Sequence, residues 1–204
     1  MKILAINGSP RDNGNTRGFL EIVLERANEL GAQTEYVGLS DKQIRGCRGC
    51  YGCVKAKRCV VEDDFQAVFD KIIEADAIVV GSPVYHASMT AEMKALLDRA
   101  GFSGRWASNA MQKKGDSYQW AGSVFSGKVF APVTVARRTG QILAFTELLT
   151  WAACNDLVTV GNTYWNMGVA GKGGAINPSE DEEGIGIMKS LAERIVHVTE
   201  KLNQ

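Results

Sequence analysis

The sequence predicts an open, doubly wound α/β sheet of five parallel strands with helices on both faces. Short apolar runs alternate along the chain with segments whose apolar residues recur every three to four positions, the pattern of a strand–helix repeat. The runs Ile78–Val80 and Val133–Val135 are continuously apolar, which is typical of parallel strands covered on both faces. No internal repeat or linker-like change of composition divides the chain, so we expect a single domain over residues 1–204.

The first half of the chain supplies two strands and two helices. Strand one is Lys2–Asn7, and after a Gly-Ser-Pro turn it leads to a helix that ends at Gly31. Thr34–Leu39 is the second strand, and Asp63 with Gln66 has the spacing of a capping pair for the next helix. The helical spacing is carried by Phe19, Leu20, Val23, Leu24, Ala27 and Leu30, and then by Phe65, Val68, Phe69, Ile72 and Ile73.

The second half supplies three more strands, each followed by a helix. Ala77–Val80 is strand three, and a helix over 91–100 follows it. Val133–Val135 marks strand four, which precedes a helix over 140–155. Leu157–Val160 is the fifth strand.

The last helix has its own start signal. Ser179 and Glu182 have the spacing of a capping box, and apolar residues then recur at helical intervals. We expect this helix to bury Met188, Leu191, Ile195, Val198 and Leu202. At the end of the preceding helix, Cys154 is expected to be a buried, inert thiol.

Composition and charge exclude several classes of function. Hydrophobic residues make up 45% of the chain and charged residues 23%, so disorder, collagen-like repeats and coiled coil are excluded. Lys plus Arg and Asp plus Glu number 23 each, and the resulting zero net charge removes a whole-molecule electrostatic argument for nucleic acid or membrane partners. The apolar start is far shorter than a signal-peptide core or a membrane span, so we expect a cytoplasmic protein.

The loop after strand one has the composition of an anion site. It reads Gly8-Ser9-Pro10-Arg11-Asp12-Asn13-Gly14-Asn15-Thr16 and leads into a helix. Small residues let backbone N–H groups approach an anion, and the helix N-terminus adds partial positive charge. Ser9, Asn15 and Thr16 add neutral donors, and Arg11 adds a charge. The loop lacks the features of a Walker or dinucleotide-binding motif. The alternative is a plain turn with an asparagine cap.

Two more loops follow strands three and four. Strand three ends in Gly81-Ser82-Pro83-Val84-Tyr85-His86, where Tyr85 offers a flat face to a planar ring. Strand four ends in Ala136-Arg137-Arg138-Thr139-Gly140-Gln141, a loop of polar donors. Because ligands of such sheets bind beyond the carboxyl ends of the strands, we expect three loops to converge on one crevice. One loop suits a phosphate and two suit a ring system.

Four of the five cysteines, Cys47, Cys50, Cys53 and Cys59, fall within thirteen residues of a loop over 45–60. Disulfides between such close neighbours would close strained loops and stabilise little. A cubane cluster needs four thiolates, of which a C-x2-C-x2-C run supplies three and Cys59 can supply the fourth. Zinc prefers two separated C-x2-C knuckles, so the spacing favours a cluster. Zinc ligation and cysteines that bind nothing stay open as alternatives.

Two long segments stand out between the predicted elements. The first, over 102–128, carries too many large apolar groups for a solvated loop, so we expect it to pack on a cofactor or a partner subunit, with plain surface as the alternative. These groups are Trp106, Met111, Tyr118 and Trp120. The second, over 162–178, is rich in glycine and contains Tyr164 and Trp165.

The loop motifs resemble those of a known protein group. Gly8-Ser9-Pro10-Arg11 with Gly14-Asn15-Thr16, and Gly81–Tyr85 leading to Lys94–Arg99, are similar to the NADPH-dependent FMN reductases, which are flavodoxin-like proteins. Within that group, the run Cys47–Cys53 followed by Cys59 resembles the cysteine motif of the iron-sulfur flavoproteins. The loop over 136–141 and the acidic run over 180–183 are also similar, and the match spans nearly the whole chain.

The resemblance implies a flavodoxin-like fold, FMN and a [4Fe-4S] cluster in each subunit, and a homo-oligomer, either a dimer or, as is common, a tetramer. By motif position the FMN phosphate would be held by Ser9, Arg11, Asn15 and Thr16. The ring would be lined by Pro83, Val84, Tyr85, Ala136 and Arg137, with Gly140 and Gln141 in the same loop. The cluster ligands would be Cys47, Cys50, Cys53 and Cys59. The segment over 102–128 is longer than the connection expected for the family.

The expected function is that of an iron-sulfur flavoprotein. A one-electron donor such as ferredoxin would pass electrons through the cluster to FMN and on to a small-molecule acceptor, and NAD(P)H is the other expected donor. The segment over 45–59 carries Arg45, Arg48, Lys55, Lys57 and Arg58 and no acidic residue, so it can steer an acidic carrier to the cluster. The alternative is an ordinary solvated loop balanced by the acidic residues over 62–64.

Other functions stay open at this point. One is a cluster-free NAD(P)H-dependent FMN or quinone reductase. Another is a non-enzymatic FMN electron carrier, or a flavin-binding module with a structural zinc.

Overall fold

The apolar runs of the sequence form one parallel sheet in the computed structural model, which describes residues 1–107, 111–114, 117–120 and 122–204. The strands are β1 (Lys2–Asn7), β2 (Gln33–Gly38), β3 (Ala77–Pro83), β4 (Met111–Lys114), β5 (Ser117–Trp120), β6 (Val129–Ala136), β7 (Val158–Thr159) and β8 (Met167–Val169). The main sheet has the order β2-β1-β3-β6-β7, and all of its pairings are parallel. Its topological switch point lies between β1 and β3, so the predicted doubly wound parallel sheet is confirmed.

Helices cover both faces of this sheet. They are α1 (Asn15–Glu29), α2 (Gly52–Ala56), α3 (Phe65–Glu74), α4 (Ala91–Ala107), α5 (Gln141–Cys154) and α6 (Glu182–Leu202). Alternate residues of a strand point to opposite faces, so Ile3 packs with α1 and α6 in one core, whereas Leu4 packs with α3, α4 and α5 in the other. The two cores hold the carboxyl ends of the strands, and hence the loops that follow them, in fixed positions.

The fifth position of the sheet is shared by two short strands. β7 pairs with the first two residues of β6, and β8 pairs with its last three. The strand predicted over 157–160 is therefore only part of this edge: the chain leaves the sheet and returns at Met167. Asn162 anchors the excursion to α6, since its amide donates to Ile187 O at 2.9 Å and accepts from Ser190 Oγ at 2.9 Å.

The predicted start of the last helix is wrong. Asn177 and Glu180 form a capping box on a short 3₁₀ turn over Pro178–Glu180, so Ser179 lies inside that turn. The carboxylate of Asp181 then accepts from Gly184 N at 2.9 Å and starts α6. Proline favours the first helical position, and with Pro178 there the capping box begins at Asn177, two residues before the predicted Ser179.

The burial expected along α6 is confirmed as far as Ile195. Met188, Leu191 and Ile195 are buried, but Val198 is half-buried and Leu202 is 48% exposed. The chain is exposed from Glu200 to the end of this long helix, and Leu202 is part of that exposed end. Cys154, expected to be buried, is exposed at the last position of α5.

The helices on the other face also differ from prediction at their ends. Asp63 accepts from Phe65 N at 3.1 Å, but Gln66 donates to Asp70 instead of completing a reciprocal pair. α4 runs to Ala107, beyond the predicted 91–100. In this extension Gly104 is a packing position, because a Cβ there would lie 2.2 Å from the ring of Phe125.

The segment over 102–128 is partly helical. Phe102 and Trp106 lie on α4, and β4 pairs with β5 as an antiparallel hairpin. The expectation that Met111, Tyr118 and Trp120 pack on a cofactor or a partner subunit concerns side chains outside the described part of the structure. None of the helices described here is long and apolar enough to cross a membrane.

Candidate functional site

The loop between β1 and α1 is shaped by its own side chains. Asn7 Oδ1 accepts from Ser9 N at 2.9 Å, and Ser9 Oγ accepts from Arg11 N at 3.1 Å. Gly8 passes so close to α4 that a Cβ there would lie 2.8 Å from Met93 Cβ. These local hydrogen bonds satisfy polar groups within the loop, ahead of α1. They leave the first turn of α1 open toward the crevice.

The N-terminus of α1 offers unpaired donors. The backbone N–H groups of Asn15 and Thr16 have no acceptor within the described ranges, as expected in the first turn of a helix. That turn contains no acidic residue, and Gly14 precedes it as the N-cap. Free N–H groups, the positive end of the helix dipole and the nearby Arg11 together suit a phosphate.

The loop after β3 is a tight turn at the same edge. Val84 N donates to Val135 O at 2.8 Å, and Tyr85 and Ser88 exchange backbone hydrogen bonds of 3.0 Å. His86 and Ala87 between them adopt left-handed φ values of 50° and 65°. The turn therefore leaves the Tyr85 side chain 46% exposed beside the crevice, where it can contact a planar ring.

Glu147, which the sequence analysis did not single out, fixes this turn. Its carboxylate accepts from Ser88 Oγ at 2.8 Å and from Met89 N at 3.1 Å. Glu147 lies on α5, so a helix that follows β6 positions the loop that follows β3. No local pattern marks such a residue, because its partners are nearly sixty positions away in the chain.

A fourth loop, also missed as a site, completes the crevice. Ala170 N and Gly171 N donate to Ala136 O at 2.8 Å and Arg137 O at 3.1 Å, which places the residues after β8 beside the loop after β6. Arg11 NH1 reaches across to Gly173 O at 3.0 Å. Gly171, Gly173 and Gly174 have φ values of 66°, 70° and 88°, which glycine adopts without strain. The glycine-rich composition of the segment over 162–178 was the signal that could have found it.

The four loops enclose one cavity of about 180 Å³. Nine predicted site residues line it: Ser9, Arg11, Asn15, Thr16, Pro83, Val84, Tyr85, Ala136 and Arg137. Gly140 and Gln141 are not in its lining; Gly140 caps α5 behind the loop, and Gln141 is buried. The lining contains two arginines and no carboxylate, a donor set that fits a phosphorylated, anionic cofactor such as FMN.

The four clustered cysteines line a second, smaller cavity. Cys47, Cys50, Cys53 and Cys59 face it together, with Arg99 and Phe102 of α4 on the opposite wall. α2 carries the third cysteine, Cys53, in its first turn and begins after Tyr51, whose φ of 53° turns the chain back. Within the described residues, no three His, Cys, Asp or Glu side chains are grouped closely enough to hold one metal ion. The donor set is sulfur alone, which fits an iron-sulfur cluster better than a hard cation.

The cysteines differ in their surroundings. Cys47 and Cys50 are exposed, and Cys53 and Cys59 are partly buried. Burial raises the pKa of the Cys53 thiol, and the neighbouring Cys59, Cys50 and Cys47 raise it further. Ligation to a metal would have to overcome this preference for the neutral thiol.

Arg99 is buried beside Cys59 and was missed as a functional residue. Its side chain is 1% exposed, and it pairs with Asp63 at 2.6 Å while donating to Cys59 Sγ at 3.2 Å. Burial lowers the pKa of Arg99, but the hydrogen bonds to Asp63 and Cys59 outweigh it and leave the pKa raised. In the sequence, Arg99 is only one charge on an amphipathic helix, so nothing local reveals its contact with a cysteine forty positions away.

The chain is similar to named proteins over almost its whole length. An iron-sulfur flavoprotein of Archaeoglobus fulgidus is 34% identical, and the match covers 98% of this chain and 96% of the relative. The iron-sulfur flavoprotein MJ0731 of Methanocaldococcus jannaschii is 30% identical, with coverage of 97% and 96%.

Solved structures of low sequence identity share the fold. RosB, solved with bound 8-demethyl-8-formylriboflavin-5'-phosphate, superposes with a TM-score of 0.73 at 19% identity and covers 100% of this chain and 80% of its own. A flavodoxin from the domain Archaea has a TM-score of 0.60 at 15% identity, with full coverage of both chains. The predicted flavodoxin-like fold is therefore confirmed.

A match to a protein-family model agrees with these sequence and structural similarities. The model of the family described as NADPH-dependent FMN reductase matches residues 1–172, which include every loop of the crevice except the last glycines. The chain therefore belongs to the NADPH-dependent FMN reductase family and is a flavin-dependent oxidoreductase.

Proposed function

We propose that this protein is an iron-sulfur flavoprotein. It takes electrons from a donor through a [4Fe-4S] cluster to FMN and delivers them to a small-molecule acceptor. The observation that carries the proposal is the common cavity lined by all four clustered cysteines. The printed names of full-length relatives support it.

Cys47, Cys50, Cys53 and Cys59 are the proposed cluster ligands. Cys47 and Cys50 lie on a loop with left-handed φ at Gly49 and Tyr51, and Cys53 follows in the first turn of α2, so the backbone wraps round a compact centre. The fourth comes from beyond α2. Gly52 is needed where this helix meets the chain after Cys59, because a Cβ there would lie 2.5 Å from Val60 Cγ2.

The crevice at the switch point is the proposed FMN site. Ser9, Arg11, Asn15 and Thr16 would bind the phosphate through hydroxyl, amide and guanidinium groups and the first turn of α1. Pro83, Val84, Tyr85, Ala136 and Arg137 would line the ring. Gly140 and Gln141 remain predicted members of the ring loop.

The two cofactors would supply the redox chemistry: bound FMN exchanges one or two electrons, and a cluster exchanges one. The protein binds and orients them. The turn over 85–88, fixed by Glu147, sets the position of the Tyr85 side chain at the ring. Arg11 and Arg137 balance negative charge in the crevice.

Ferredoxin is the proposed one-electron donor to the cluster, and NAD(P)H, which transfers a hydride, is the alternative donor to FMN. The basic residues of the cysteine loop, Arg45, Arg48, Lys55, Lys57 and Arg58, are all exposed, so they form a cationic surface beside the proposed cluster. An acidic one-electron carrier fits this surface, because opposite charge accelerates encounter.

A second candidate is a cluster-free NAD(P)H-dependent FMN or quinone reductase. The family description favours it, since it names NADPH and FMN and no cluster. A non-enzymatic carrier is the remaining alternative, and the likeness to an archaeal flavodoxin is in keeping with it.

Assembly and location extend the proposal. We propose a single domain over 1–204, working in the cytoplasm as a homo-oligomer, a dimer or a tetramer. Exposed apolar side chains near the crevice, including Leu143, Tyr164 and Trp165, give a surface for subunit contact.

The test is a cofactor count on protein purified without oxygen. We expect about four irons and an equal amount of sulfide per FMN, with broad charge-transfer absorption beside the flavin bands. Cys59→Ser should lose the cluster and keep FMN. The matched control is Cys154→Ser, because Cys154 is exposed on α5 and does not line the cavity. Flavin with zinc or without metal in the parent protein would instead establish the cluster-free alternative.

A further inference from the structure

Arg99 of α4 connects the two ends of the cysteine loop. One terminal nitrogen of its guanidinium donates to Asp63 Oδ2 at 2.6 Å and to Arg45 O at 3.1 Å. The other donates to Val61 O at 3.1 Å and to Cys59 Sγ at 3.2 Å. The face of the guanidinium lies 4.2 Å from the ring centroid of Phe65.

These contacts fix the base of the loop before any ligand is present. Arg45 precedes the first cysteine and Val61 follows the last, so one rigid group ties together the two ends of a segment that carries all four. Closing such a loop costs conformational entropy, which the planar fork of an arginine can offset through several hydrogen bonds at once. A preformed loop base presents Cys59 to a cluster at a defined place.

The contact with Cys59 is also an electrostatic one. A guanidinium stays protonated in proteins, so Arg99 is a permanent cationic donor to sulfur. Its side chain is 1% exposed, and water therefore screens the interaction little. Hydrogen bonds to cluster sulfurs and nearby charge set the reduction potential of iron-sulfur centres.

We propose that Arg99 is a positioning residue of the cluster site: it preorders Cys59 and, by donating to its sulfur, raises the reduction potential of the cluster. The inference rests on the proposed function, because it needs a cluster on Cys47, Cys50, Cys53 and Cys59. Reduction adds negative charge to the cluster and its sulfurs, so a cationic donor stabilises the reduced state more than the oxidised state.

The test must separate this hydrogen bond from the buried ion pair. Replacing Arg99 alone would remove the buried ion-pair partner that lies 2.6 Å from Asp63, which destabilises a protein strongly. The double variant Arg99→Met/Asp63→Asn removes one positive and one negative charge, so it leaves the net charge unchanged. Asp63→Asn alone is the matched control: it also breaks the ion pair, but the amide oxygen can still accept from Arg99, and the donor to Cys59 stays in place.

Three measurements are made on each holoprotein: FMN per chain, the cluster potential by spectroscopic titration, and the rate of iron loss to a chelator. We expect full FMN content in all variants. In the double variant, the ratio of reduced to oxidised cluster at a fixed potential should fall at least tenfold, a shift of about 59 mV for a one-electron couple. Iron loss should be faster in the same variant.

Arg45→Gln is a second control. Arg45 is exposed and its guanidinium donates to Glu62 O and contacts Asp63, but it makes no hydrogen bond to a cysteine. We expect its potential and its rate of iron loss to match those of the parent protein. A drop in cluster potential equal to that of the double variant would assign the effect to nearby positive charge in general and overturn the role of the Arg99 donor.

The remaining outcomes are also decisive. Equal potentials in the double variant and Asp63→Asn would overturn the inference while leaving the cluster proposal standing. A parent protein that holds FMN but no iron would overturn the proposed function, and the inference with it. If the double variant lacks FMN, the same measurements are made on Arg99→Lys. A single ammonium cannot donate to all four acceptors. An unchanged cluster potential and an unchanged rate of iron loss in this variant would therefore contradict the proposal.

Discussion

At the scale of a single residue, the side chain of Arg11 joins two loops of the crevice. Its guanidinium donates to Gly173 O at 3.0 Å, and its exposed position beside the first turn of α1 suits an anion. We expect Arg11→Gln to weaken FMN binding about tenfold, because a hydrogen bond to a charged group contributes about 1.5 kcal/mol. Riboflavin, which lacks the phosphate, should bind the variant as it binds the parent. Titration of the apoprotein with both flavins measures this.

Arg17→Gln is the matched control for that prediction. Arg17 lies on the same helix but pairs with Glu21 and does not line the crevice. Its loss should leave the affinity for both flavins unchanged. Equal weakening of FMN and riboflavin in Arg11→Gln would contradict a role at the phosphate.

Glu35 gives a pH dependence to stability. Its carboxylate lies between Lys2, at 2.8 Å, and Lys71. Hydrogen bonds from Lys2 and Lys71 lower the pKa of Glu35 below 4.5. Since the folded pKa is the lower one, the stabilisation is complete above the unfolded pKa and is lost as pH falls through the folded pKa.

We therefore expect Glu35→Gln to lower the free energy of unfolding at about pH 7 by less than about 1 kcal/mol, the range of partly exposed pairs. The difference from the parent protein should shrink at about pH 4, where the carboxylate of the unfolded chain begins to be protonated. Urea unfolding at the two pH values checks this. A difference that grows on acidification would have the wrong sign.

At the scale of elements, β8 is held by a close contact with α1. Gly168 lies against the buried ring of Phe19, and a Cβ there would be 2.2 Å from Phe19 Cε2. We expect Gly168→Ala to cost about 2 kcal/mol of unfolding free energy, as overpacking of a core does. FMN affinity should fall as well, because β8 leads directly into the glycines over 171–174. Chemical unfolding and flavin titration measure the two effects.

Gly186→Ala is the control at this scale. Gly186 lies on α6, and a Cβ added there would meet no atom within 4 Å. Alanine there should raise the free energy of unfolding by about 0.5–1 kcal/mol through its helix propensity. If Gly168→Ala, like this control, loses no free energy of unfolding, then β8 can shift without cost.

At the scale of the whole molecule, zero net charge makes any electrostatic steering local. The basic residues of the cysteine loop are exposed in a chain whose formal charges balance. We expect the rate of reduction by an acidic ferredoxin to fall markedly as salt rises, because salt screens exposed charges. Stopped-flow reduction of the holoprotein measures this.

Two controls define that rate effect. The variant Lys55→Gln/Lys57→Gln should reduce both the rate at low salt and its salt dependence, and a small uncharged reductant should show neither effect. Lys201→Gln, at the far end of α6, should behave as the parent. A rate independent of salt would contradict docking at the cysteine loop.

The parallel sheet, three loops at its carboxyl edge and the grouping of four cysteines could all be predicted from the sequence. They follow from local patterns: continuous apolar runs bury a strand, small residues and a helix start form an anion loop, and close cysteine spacing places thiols together. Nine of the eleven residues predicted for the flavin site line one cavity for this reason.

The fourth loop, the division of the fifth strand and the place of Arg99 depend on tertiary contacts. Arg11 meets Gly173 across 162 positions, and Arg99 meets Cys59 across 40. Hydrophobic periodicity records which face of an element is buried, but not which distant polar groups meet once those faces have packed. Such contacts form only when the layers close over the sheet, so they are properties of the packed fold rather than of any local stretch of sequence.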